Sequence, residues 1–349
     1  MKTIGYAAKE ANQPLAPFHF ERRDLRDNDV SIEITYCGIC HSDLHQAKND
    51  WGMAIYPLVP GHEIVGKVIA VGKDVKKYKV GDNVAVGCFV DSCLTCDQCK
   101  KGDEQFCREG VTMVFSAEDK ISGGATYGGF SKHIVVQEHF VLAVPDKLDV
   151  SKAAPILCAG ITTYAPLKNY GVKQGSRVGV IGLGGLGHMA IKLSKAMGAE
   201  VTVISRSESK KDVAIGYGAD KVVISTNPGE LESAAYSLDL ILDTVPVKHS
   251  IDPYVSLLDV KGTLVILGEL GPMEEFMAGG LLFGNKAVSG SMVGGIPDTQ
   301  EVLDFCAKHN IEPKCEMISV NEINDAFKRL EKGDIPHRFV IDMKSLEKV

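Results

Sequence analysis

Short apolar runs broken by Gly, Pro, Asn and Asp fill the first 148 residues, at 30–36, 64–71, 83–86 and 131–136 among others. Runs of this length, rich in Val and Ile and bounded by turn residues, predict strands of a β-rich, irregular domain whose loops can carry ligands. From 149 to 290 the pattern changes. Apolar strands at 177–181, 201–204, 221–224, 238–243, 263–267 and 286–289 alternate with stretches of helical period. Parallel neighbours need crossover connections, so this alternation predicts an α/β unit built on a doubly wound parallel sheet. The remainder, 291–349, ends in one more short strand at 338–342 and is expected to return to the first domain. The expected organisation is therefore 1–148 with 291–349 as one domain and 149–290 as the other. No internal repeat or low-complexity tract interrupts it.

The first strand of the α/β unit runs into Gly182-Leu183-Gly184-Gly185-Leu186-Gly187. A G-x-G-x-x-G between a strand and an amphipathic helix is a dinucleotide turn. Gly182 permits the tight turn, Gly184 lets the backbone approach a pyrophosphate, and Gly187 allows close helix packing, with helix-start amides facing the phosphates. Leu186, Met189, Ala190, Leu193 and Met197 then recur at helical spacing. An acid at the end of the second strand would hold a ribose 2′-hydroxyl and repel a 2′-phosphate. The sequence there reads Ser205-Arg206-Ser207, followed by Lys210. Hydroxyls and cations suit a phosphate, so NADP(H) is the expected coenzyme.

Charge and composition narrow the function classes. The chain of 349 residues has a net charge of −7, the wrong sign for gripping nucleic acid. It shows no secretory signal and no run able to cross a bilayer, so a cytoplasmic protein with no membrane partner is expected. In a reducing compartment clustered thiols read as metal ligands before disulfides. Of ten cysteines, Cys93, Cys96, Cys99 and Cys107 stand at C-x2-C-x2-C-x7-C, a four-thiolate zinc clamp. Four thiolates close the coordination sphere, so this ion is structural and any chemistry lies elsewhere.

Five motifs carry a resemblance: Gly61-His62-Glu63 with Gly66 and Gly72, Cys40-His41-Ser42-Asp43-Leu44-His45, the thiol quartet, Cys158-Ala159-Gly160-Ile161-Thr162-Thr163-Tyr164, and the glycine turn. Over nearly the whole chain they resemble the zinc-containing medium-chain dehydrogenases/reductases, most closely the cinnamyl alcohol dehydrogenase branch. The resemblance implies a GroES-like catalytic domain beside a Rossmann cofactor domain. It implies a second zinc held by Cys40, His62 and Cys158, with Glu63 as alternate or outer ligand and the fourth position open. It further implies that Ser42 and His45 relay a proton, and that His41, Ser42, Thr162, Thr244, Gly268, Ser291 and Arg338 contact the coenzyme. Trp51 and Met292 would line the substrate pocket, and two subunits would form a homodimer through the apolar 287–293 stretch.

The expected activity is a broad-range alcohol dehydrogenase or aldehyde reductase acting on aromatic or medium aliphatic aldehydes. Plainer roles stand beside several residues. Ser42 could cap a helix and His45 lie on its exposed face; Arg338 could form a surface ion pair, and Trp51 could be loop core. The segment 109–126 departs from the plant enzymes' pattern, which argues against a lignin-specific role. An NAD-linked polyol or simple alcohol dehydrogenase predicts an acid at position 205. A non-catalytic zinc or dinucleotide binder would not need the complete ligand set.

Overall fold

A computed structural model describes residues 1–333, 335 and 337–348. The chain divides into two compact units, one of Met1–Ile161 with Gly294–Val349 and one of Thr162–Val293.

The first unit is organised on a seven-stranded sheet whose long central strand, Asp29–Ile39, pairs antiparallel with Ile64–Val71, His133–Gln137 and Arg338–Asp342. Val30, Ile32, Ile34, Cys37 and Ile39 of this strand are buried, and Ile64, Val65 and Val68 of its neighbour meet them. The C-terminal strand Arg338–Asp342 lies directly on Asp29–Ile39, with Phe339 opposite Ile39 and Ile341 opposite Cys37. This pairing fastens the chain's end beside the loops that follow Ile39 and precede Ile64. Those loops carry Cys40 and His62.

The second unit holds a six-stranded, wholly parallel sheet. Counting its strands along the chain, their spatial order is 3-2-1-4-5-6, the arrangement of dinucleotide-binding sheets. Val178, Val180, Val201, Val203, Ile241 and Leu242 are all fully buried. Burial on both faces explains why these strands read as unbroken apolar runs. Three strands, Arg177–Ile181, Lys221–Ile224 and Leu238–Asp243, begin and end where the pattern places them. The fifth, Leu258–Ile266, starts earlier than its apolar run, because Leu258 pairs with Leu238 across a register shift and draws the polar Asp259-Val260-Lys261 segment into the strand.

Candidate active site

Cys40 ends the long strand's loop and caps the helix His41–Lys48. Asp43, fully buried, ties the local structure together. Its Oδ2 accepts from the Cys40 amide at 2.9 Å, and its Oδ1 accepts from the Gly61 amide at 2.9 Å and stands 3.0 Å from His62 Nδ1. An ionised carboxylate at Nδ1 makes that nitrogen the donor and leaves the Nε2 lone pair for a metal. Sequence reasoning missed this role, since Asp43 looks like an ordinary first-turn helix acid until the Gly61-His62 loop is seen against it.

Cys158 follows the short 3₁₀ turn Ala154–Leu157, and its Sγ lies 3.8 Å from Cys40 Sγ. One ligand atom from each of Cys40, His62, Glu63 and Cys158 falls within 4.8 Å of the others, and all four residues are buried. A hydrogen bond from Cys158 holds the Cys40 thiol well below its ordinary value, aided by the positive charges of Arg338 and His62 against the cost of burial. Cys158, the donor partner, is pushed well above the ordinary thiol range by its bonds with Cys40 and Cys88 and by burial. Two soft thiols, one imidazole and an adjacent carboxylate, packed this tightly and sealed from water, form a donor set that fits zinc. Cys88 stands closer to this cluster than the sequence suggests, because the 83–86 strand delivers it next to Cys158.

Arg338 is 3% exposed and pairs with Glu63 Oε1, which removes the surface ion pair as a reading. Glu63 Oε2 has no hydrogen-bond partner. A bound cation would satisfy that orphaned oxygen. Burial pushes the Glu63 carboxyl up to about 8 although Arg338 draws it down.

Ser42 is the second residue of the Cys40-capped helix, with its Oγ 3.8 Å from Cys40 Sγ, so it does not cap the helix itself. His45 follows one turn later on the same face. Its Nδ1 lies 2.7 Å from Asp50 Oδ2 and its ring centre 5.3 Å from that of Trp51. Trp51 therefore packs on the histidine and is half-buried. Phe115, from the divergent 109–126 segment, sets its ring 5.8 Å from His62, an apolar neighbour that no local pattern in the chain announces. His41 is half-buried, with its ring 6.2 Å from His45; burial lowers its pKa.

The thiol quartet forms a second cluster, with Cys93, Cys96, Cys99 and Cys107 presenting sulfurs within 4.8 Å of one another. Backbone amides point at these sulfurs: Cys96 N at Cys93 Sγ (3.3 Å), Cys99 N and Arg108 N at Cys96 Sγ (3.5 Å each), and Cys93 N at Cys107 Sγ (3.4 Å). The amides of Arg108 and Cys99 bring the Cys96 thiol down to about 6. Amides arrayed around sulfur stabilise thiolates, the form zinc requires.

In the second unit Gly182 adopts φ +89° at the end of Arg177–Ile181, and the helix Gly185–Ala196 begins from Gly184. A Cβ built on Gly184 would meet nothing within 4 Å, so the backbone there is open to a ligand, whereas one on Gly187 would strike the Gly182 carbonyl. Leu183 is buried, Leu186 partly so. Ser205 ends the second strand with Oγ 3.3 Å from both the amide and the carbonyl of Ser207, whose own hydroxyl meets Ser209 at 2.7 Å. Arg206 is exposed beside them, and Lys210 lies within the next turn. Thr244 donates to Ile181 O at 2.7 Å and Gly268 N donates to Asp243 O at 3.2 Å, so both border the glycine turn. Thr162 is buried in the helix Ala159–Asn169; Ser291 follows the edge strand Ala287–Gly290, and Met292 is 44% exposed. Among the described residues, no helix is long and apolar enough to cross a membrane.

Residues 26–146 match the family model described as alcohol dehydrogenase GroES-like domain, and 185–308 that described as zinc-binding dehydrogenase. An 8-hydroxygeraniol dehydrogenase of Catharanthus roseus is 49% identical over 98% of this chain and 95% of its own. Cinnamyl alcohol dehydrogenase 8 of Arabidopsis thaliana is also 49% identical, over 98% and 95%. Among solved structures, a cinnamyl alcohol dehydrogenase of Sorghum bicolor superposes with a TM-score of 0.95 at 44% identity, over 99% of this chain and 98% of that one. The CAD of Helicobacter pylori, complexed with NADP(H), does so at 0.93 and 42%, over 99% of both.

Proposed function

The chain belongs to the zinc-containing medium-chain alcohol dehydrogenases, in their cinnamyl alcohol dehydrogenase branch, and from that membership we propose a broad-range, NADP(H)-dependent interconversion of alcohols and aldehydes. The carrying observation is the sealed cluster of Cys40, His62, Glu63 and Cys158, with ligand atoms within 4.8 Å of one another. Cys40, His62 and Cys158 would hold a zinc ion able to supply Lewis acidity toward a substrate oxygen, with NADP(H) as the source or acceptor of the hydride.

The chain's own residues prepare that chemistry. Asp43 fixes the His62 ring and the Cys40 amide in one register, so neither ligand has to reorganise. Arg338 offsets the negative charge that Glu63 and the two sulfurs concentrate in a dry site. Ser42 is placed to pass a proton at its Oγ, and His45, braced by Asp50, stands at the wetter end of the same helix face. Cys93, Cys96, Cys99 and Cys107 would hold a structural zinc.

Ser205, Arg206, Ser207 and Lys210 give the coenzyme a phosphate-seeking edge with no acid at the strand end. Trp51 and Phe115 offer aromatic surface beside His45 and His62, which suits aromatic and medium aliphatic aldehydes. The family likeness makes Met292 a further candidate for contact with the substrate. The relatives carry names for 8-hydroxygeraniol and cinnamyl alcohol, which supports a broad range over a single substrate. Met277, Leu282 and Phe283, 73%, 77% and 96% exposed, lie close in sequence before the edge strand Ala287–Gly290, and support a homodimer formed there. Thiols gathered as two metal-ligand clusters suit a cytoplasmic setting.

A steady-state panel of aldehydes and alcohols with each coenzyme tests the reading. Cinnamaldehyde and benzaldehyde are expected to drive NADPH oxidation, with kcat/KM for NADPH at least about a hundredfold above that for NADH. Preference for NADH, or turnover confined to small polyols, would transfer the protein to the NAD-linked alternative.

A further inference from the structure

The order 3-2-1-4-5-6 reverses between the strands Arg177–Ile181 and Leu238–Asp243, and sheets of this kind bind ligands beyond their carboxyl ends at that point. Asp243, the last residue of its strand, is 1% exposed and turns back onto the loop that follows. Its Oδ1 accepts from the Val245 amide at 3.2 Å, while its Oδ2 stands 2.9 Å from His249 Nε2. The other ring nitrogen, Nδ1, lies 2.8 Å from the Val247 carbonyl. His249 Nδ1 is thus held by a carbonyl, while Nε2 stands within ion-pair range of Asp243 Oδ2 without a hydrogen bond to it, so a charged ring gains the attraction of a buried carboxylate.

This closed loop walls the glycine turn. A Cβ on Gly182 would meet Thr244 Oγ1 at 3.0 Å and Val245 Cγ2 at 3.3 Å, and Gly268 packs on the backbone of the same two residues. The loop also reaches toward the adenosine side. The His249 ring lies 6.1 Å from that of Tyr254, whose hydroxyl feels Ser225 beyond the third strand and the charge of Arg206.

We propose that His249 is a positioning residue for the dinucleotide, an imidazolium clamped between Asp243 and Val247 that holds loop 244–249 in the shape receiving the adenosine half of NADP(H). The inference rests on the coenzyme reading given above. The groups facing the ring are Asp243 on the sheet, Glu269 after the fifth strand, Tyr254 on the helix Asp252–Val255 and the Val247 carbonyl. The close contact with Asp243 raises the imidazole's pKa above its ordinary value; burial opposes it, and Val247 O and the charges of Asp243 and Glu269 reinforce it. With the folded value raised, the clamp is complete below the ordinary imidazole range and is lost as pH rises through the raised value. Affinity for the adenosine half follows the same course.

The experiment titrates the wild type and His249→Gln with 2′,5′-ADP, NADPH and nicotinamide mononucleotide from about pH 6 to pH 9, by calorimetry and nucleotide fluorescence. At the acid end His249→Gln is expected to bind 2′,5′-ADP and NADPH about tenfold more weakly, to leave mononucleotide binding unchanged, and to lose the alkaline decline of the wild type. Reciprocity adds a test that needs no variant: NADPH must raise the pKa of the His249 ring, read from its imidazole nitrogen shifts. If the wild type binds no 2′,5′-ADP, the coenzyme reading falls and takes this inference with it. If the wild type binds it while the variant's affinity and pH profile match, or the His249 titration ignores NADPH, only the role of His249 is overturned.

Discussion

Cys40→Ala is expected to cut aldehyde turnover by about three orders of magnitude or more and to lower bound zinc from about two ions per chain to about one. The size of the effect follows from the cluster's composition. Removing Cys40 leaves His62, Glu63 and Cys158, with Arg338 paired to the carboxylate and repelling the cation that two thiolates had balanced. Loss of the fold would give a different signature, abolishing coenzyme binding as well. Cys40 caps the helix His41–Lys48, and deleting a cap costs about 1 kcal/mol, well short of unfolding a two-domain chain. NADPH binding is expected to persist, because the glycine turn belongs to the other unit. Turnover and metal content therefore have to fall together while coenzyme binding holds. Metal analysis, NADPH fluorescence and steady-state rates on one preparation make that comparison.

The second large effect concerns the coenzyme. Ser205→Asp is expected to lower the ratio of kcat/KM for NADPH over NADH by about a hundredfold or more. Ser205 closes its strand with its hydroxyl 3.3 Å from both backbone groups of Ser207, so the loop's shape depends on that side chain. A carboxylate there can accept a ribose 2′-hydroxyl, yet it repels a 2′-phosphate and competes for Arg206. Both changes favour NADH. An unchanged ratio would place the 2′-phosphate elsewhere and withdraw the assignment of Ser205, Arg206, Ser207 and Lys210.

The parts of this architecture that were legible in the sequence share a local physical cause. Parallel strands buried on both faces must be apolar throughout, which is why Arg177–Ile181 and Leu238–Asp243 stand out in one dimension. The thiol quartet is legible because a clamp made within one loop leaves its spacing in the chain. Cys40, His62 and Cys158 are different. They come from three separated loops, and only the family likeness joins them in the sequence. Asp43 illustrates what stays hidden: its function is to bridge Cys40 and the Gly61-His62 loop, and no local pattern records a bridge. Arg338 was open between two roles until strand pairing with Asp29–Ile39 delivered it to Glu63. The Asp243–His249 contact is hidden for the same reason, since a histidine in a polar loop carries no period.

Cobalt substitution addresses the open metal site most directly. Cobalt(II) in a tetrahedral thiolate site shows ligand-field and sulfur-to-metal bands that respond to a change in its ligands. With both sites filled, two environments are expected, one with four sulfurs and one with two sulfurs and an imidazole. Adding an aromatic aldehyde or alcohol should shift the second spectrum and leave the first untouched. A single four-sulfur environment, or two environments that both ignore the substrate, would contradict an accessible metal at Cys40, His62 and Cys158.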